Sequence, residues 1–76
     1  MEHKFLLAIL NSYFLHCHYA AWLITDKLNE VTRNKFELIE TEKTEHEAVI
    51  NATGGLDFIF TLTNTGYIEH IDVIEK

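Results

Sequence analysis

The run Phe5–Ile24, FLLAILNSYFLHCHYAAWLI, decides how this chain is built. It holds 20 residues without Lys, Arg, Asp or Glu, a length that would cross a bilayer. Asn11, Ser12, His16 and His18 interrupt it, together with Tyr13 and Tyr19. The preceding Met1-Glu2-His3-Lys4 is not the basic leader of a signal peptide. Periodicity resolves the choice. Leu6, Leu10, Tyr13, Cys17, Ala20, Ile24, Leu28 and Val31 recur at intervals of three and four, one stripe of a helix. Lys4, Asn11, His18, Thr25, Asn29 and Arg33 form the opposite, polar stripe. The pattern predicts one long amphipathic helix from near Glu2 to near Asn34, packed rather than membrane-spanning. Lys27, Arg33 and Lys35 complement the dipole at its C-terminal end, and Asn34 suits a left-handed C-cap. A break near His16–His18, giving two shorter helices, is the alternative.

Downstream of Lys35 the period becomes two. Phe36–Glu42, His46–Thr53, Asp57–Thr63 and Tyr67–Glu75 read as strands. Glu42-Lys43-Thr44, Gly54-Gly55 and Asn64-Thr65-Gly66 punctuate them. Connections this short give an antiparallel meander. The expected fold is α+β: a long N-terminal helix (1–34) packed on one face of a four-stranded antiparallel sheet (36–76), in a single domain spanning 1–76. Phe36, Leu38, Ala48, Ile50, Ala52, Phe58, Phe60, Leu62, Ile71 and Val73 supply the inward face. The outward face takes Glu37, Ile39, Glu47, Val49, Ile59, Thr61, Ile68, His70, Asp72 and Ile74. Ile39, Val49, Ile59 and either Ile68 or Ile74 would make an apolar strip with acidic margins.

A second apolar excess lies on the helix, where Phe5, Leu15, Tyr19, Trp22 and Leu23 fall outside the main stripe. Deep burial and a second contact surface, such as a homodimer seam, are both compatible with it.

The charge is uneven. Residues 1–35 hold four basic and three acidic side chains, while residues 36–76 hold two basic and nine acidic. The formal net charge of −6 opposes non-specific nucleic-acid binding and adhesion to anionic membranes. Glu37, Glu40, Glu42, Glu45 and Glu47 cluster around the first hairpin. Such a cluster protects an exposed edge from aggregation, or it offers a landing surface to a basic partner, including a nucleic-acid-binding protein.

No residue set demands chemistry. Cys17 is the lone cysteine, so no internal disulfide forms, and a cytoplasmic setting is expected. On a continuous helix His16 and His18 point apart and cannot close on one metal, and Cys17 reads as an inert core thiol. His46 and His70 lie near Glu45, Glu47, Glu69 and Asp72, the raw material of acid–base catalysis, without a nucleophile in a recognisable setting. Neither a cofactor nor enzymatic activity is expected. The sequence favours an acidic protein-binding module, such as a phage- or mobile-element-type inhibitor of defence systems or an immunity protein. Its expected contacts are the five glutamates with Ile39, Val49, Tyr19 and Trp22. A homo-oligomeric module using the helix surface is the alternative, and a small enzyme using His46 or His70 is a more distant one.

Overall fold

The computed structural model describes residues 3–75. Two helices, α1 (Lys4–Phe14) and α2 (Ala21–Thr32), precede strands β1 (Leu38–Lys43), β2 (Glu47–Ala52), β3 (Leu56–Leu62) and β4 (Ile68–Glu75). The strands pair in sequence order, each antiparallel to the next. The start expected near Glu2 lies outside the described residues.

The single long helix is not formed, and length gives the reason. A helix from Glu2 to Asn34 would run about 50 Å. The longest axis of the molecule is 31 Å, so a straight helix could not keep its stripe over the sheet. The chain turns at Leu15–His18 instead, which is the two-helix alternative that the sequence left open. Leu15 is extended, and His16 takes the left-handed region at φ 68°. That conformation costs a non-glycine residue about 1–2 kcal/mol. Backbone bonds to the sheet offset it. His16 N–H donates to the Ile68 carbonyl at 2.7 Å, Ile68 N–H to the Cys17 carbonyl at 2.8 Å, and Tyr19 N–H to the Gly66 carbonyl at 2.9 Å. Neither helix has a side-chain N-cap, so packing has to stabilise both. The C-cap of α2 is Arg33, left-handed at φ 57°, one residue before the expected Asn34. Asn29 then clasps the link to β1, donating to the Phe36 carbonyl at 3.1 Å and accepting from Phe36 N–H at 2.9 Å.

The break rewrites the helical stripe. Leu10, Ile24 and Leu28 are buried as expected, and Phe14 and Tyr19 join them. Tyr13 and Cys17, expected at the centre of the stripe, are exposed. The stripe therefore holds within each helix, at Leu10 and at Ile24 and Leu28, and fails at Tyr13 and Cys17, where the chain turns. These helix residues form one buried cluster with Ala48, Ile50, Ala52, Leu56, Phe58, Phe60, Leu62, Ile68 and Ile71.

Ile68 belongs to that cluster, fully buried, and not to the outward face. A bulge moves it there. Leu62 pairs with Ile68 while Thr61 pairs with His70, which leaves Glu69 as the extra residue. The alternation of β4 is thus shifted by one between Ile68 and Ile71. A second bulge leaves Thr41 extra in β1, between Glu40 opposite Ile50 and Glu42 opposite Val49.

Candidate protein-docking surface

Register defines the outward face row by row. Ile39, Asn51, Asp57 and Ile74 lie side by side across the four strands. The next row is Glu42, Val49, Ile59 and Asp72. The third is Glu47, Thr61 and His70. None of these residues belongs to the core cluster. Val49 and Ile59 are half-buried by their neighbours, whereas Ile39 is 63% exposed and Ile74 44%. Asn51 donates to Asp57 Oδ1 at 2.5 Å, joining the two central strands. Four carboxylates and no lysine or arginine occupy these rows. The result is an aliphatic strip with an acidic rim.

The five hairpin glutamates do not form one patch. Glu42 and Glu47 stand on the outward face. Glu45 sits in the turn between β1 and β2, and Glu37 just before β1. Glu40 lies opposite core residue Ile50, on the inward side of the edge strand. There the Tyr19 hydroxyl donates to Glu40 Oε2 at 2.5 Å. Lys43, opposite core residue Ala48, holds its Nζ 5.8 Å from the centre of the Tyr19 ring. Burial, reinforced by the hydrogen bond and the charge of Glu40, pushes the Tyr19 hydroxyl well above its ordinary value of 10. Tyr19 was expected as a partner contact outside the core face. At 8% exposure it is a core residue and binds Glu40. Trp22 is 71% exposed on α2, far more than the half-buried Ala21 before it.

The histidines are dispersed. His46 lies in the β1–β2 turn, where its carbonyl accepts from Leu62 N–H at 2.8 Å. His70 faces outward beside Thr61. His18 stands edge-on to Tyr67, ring centres 5.5 Å apart. Exposed Cys17 donates to the Tyr13 carbonyl at 3.4 Å. Among the described residues no set of three His, Cys, Asp or Glu side chains is placed to hold a metal ion. They enclose no pocket, and no helix among them is long and apolar enough to cross a membrane.

Sequence reasoning identified Ile39, Val49, Ile59 and Ile74 and missed the Asn51–Asp57 pair at their centre. Period-two counting from Phe58 and Ile50 places both residues outward, so that signal was present. Comparison with protein-family models, curated proteins and solved structures finds no match.

Proposed function

We propose that this protein is a non-enzymatic binding module that docks the outward face of its sheet on a basic surface of another protein. The observation that carries the reading is the pairing of exposed Ile39 and Ile74 with the carboxylates of Glu42, Glu47, Asp57 and Asp72, in rows without lysine or arginine. Purely solvated sheet faces alternate more cleanly. The carboxylates steer a cationic partner during encounter, and the aliphatic strip supplies desolvated anchors. Occupation of a basic surface occludes it, so the module acts as a stoichiometric inhibitor. A target that holds nucleic acid would lose its phosphate site. Size and charge support a place among phage- or mobile-element-type antagonists and immunity proteins, in the cytoplasm. Dispersed histidines and the lack of an enclosed pocket among the described residues favour binding over catalysis.

Capture from a bacterial lysate tests the reading, with wild type beside the pair Ile39→Asp/Ile74→Asp. Wild type is expected to retain a basic protein at low salt and release it at high salt. The double variant is expected to retain at least about tenfold less, as loss of central anchors does. Capture indifferent to both salt and the double variant would overturn the reading.

A second reading rests on a different observation. Phe5 and Trp22 are 73% and 71% exposed on the helices, and such residues suit a seam between two copies. Sedimentation over a range of protein concentrations decides it. A concentration-independent monomer removes the homodimer.

A further inference from the structure

β1 and β4 both end the sheet, and the chain itself covers only the start of β4. The start of β4 is sealed by the chain itself, through the bonds of Ile68 with His16 and Cys17 at 2.7 and 2.8 Å. Further along, Val73 N–H donates to the Asp72 carboxylate at 2.9 Å. β1 has β2 on one side and, among the described residues, no strand on the other. Thr53 N–H donates to the Glu37 carbonyl at 3.2 Å, toward β2. Antiparallel alternation then turns the peptide groups of Leu38 and Glu40 away from β2, onto the open edge. Five of the six β1 residues are exposed. Glu37, Glu40 and Glu42 line this stretch. The one cation on β1, Lys43, already donates to the Thr44 carbonyl at 3.0 Å.

We propose that β1 is a strand-accepting edge. An extended segment of the partner protein, with lysine or arginine at alternate positions, adds to it as a fifth strand. This rests on the reading above and names how the basic partner is held. Backbone bonds to Leu38 and Glu40 hold the segment, while Ile39 and Glu42 on the outward face select its side chains. The bulge at Thr41 confines regular pairing to the stretch before it. The glutamates of this stretch set the edge against self-pairing, because two copies of β1 side by side bring like charges together.

The test uses the full chain labelled with nitrogen-15 and a short peptide of alternating lysine and valine. At low salt the peptide is expected to shift the amide signals of Leu38–Glu42. It should also slow hydrogen exchange at Leu38 and Glu40 by about tenfold or more, as newly paired amides are protected. A peptide with glutamate in place of lysine is expected to do neither. Glu40→Pro removes an outward N–H and should abolish the effect, whereas Glu40→Gln should keep the exchange protection. Shifts confined to Val49, Ile59, Asp72 and Ile74 would overturn the edge while leaving the docking face intact. Equal effects of both peptides would overturn the charge selection. No perturbation by the lysine peptide overturns the edge as well. The salt-dependent lysate capture then tells separately whether the docking face falls with it.

Discussion

The two faces of β3 alternate residue by residue and answer to different demands. Phe58, Phe60 and Leu62 point inward and are essentially inaccessible, while Ile59 and Thr61 between them stay half-open. Backbone and pairing partners are shared, so the contrast isolates what covers each face. Inward, residues of α1, α2 and the sheet share one buried cluster. Each large side chain there contributes on the order of 1.5–3 kcal/mol by burial. Outward, aliphatic residues are retained without full burial, beside carboxylates. Strand propensity explains β-branched residues at Ile59 and Ile39. It does not explain why these rows hold four carboxylates and neither lysine nor arginine among the described residues.

That contrast breaks most readily at Phe60. Phe60→Ala should cost about 3–5 kcal/mol in a denaturant titration, since the cavity opens where helices and sheet meet. Its outward neighbour tests the other half. Ile59→Ala should cost about 1 kcal/mol or less, because the half-open site is already partly hydrated. Equal costs would mean that something covers the outward face in the free protein.

The seam between helices and sheet comes next. Gly66 has φ +85°, and a Cβ there would stand 3.2 Å from His18 Nε2. Gly66→Ala is expected to cost about 1–2 kcal/mol through the left-handed backbone alone, and His18 must also shift. A fall in thermal midpoint with unchanged strand content measures it.

Tyr19 sharpens the comparison at the sheet edge, where the inward face becomes polar. Tyr19→Phe should cost about 1 kcal/mol, the usual net worth of one hydrogen bond. Its pH dependence has a definite sign. The hydroxyl is held above its ordinary value of 10 in the folded chain. Its contribution is therefore complete below pH 10 and is lost as pH rises through the folded value. Stability of wild type should fall more steeply above pH 10 than that of Tyr19→Phe, and parallel curves would contradict the buried, bonded hydroxyl. The smallest effect is expected at Ile74. Ile74→Ala should change stability by less than about 0.5 kcal/mol, as exposed positions do. Lysate capture by that variant should nevertheless weaken.

By itself the sequence determined the class of the fold, the four strands in order and, from period two, nearly every inward and outward position. These are local properties: alternation, turn residues and apolar spacing act over a few residues and need no knowledge of what lies opposite. The charge layout was equally legible. Tertiary structure alone decided the rest. The helix broke at His16 because about 50 Å of helix does not fit over a compact sheet, and Ile68 and Gly66 supplied the backbone partners. No glycine or proline marked that place. Ile68 went inward because Glu69 bulges, and Tyr19 became a core residue because its ring packs on Phe60, with its hydroxyl on Glu40. The break and the Tyr19–Glu40 bond join residues far apart in sequence, and the bulge is a register shift between paired strands; periodicity along one strand or helix registers neither.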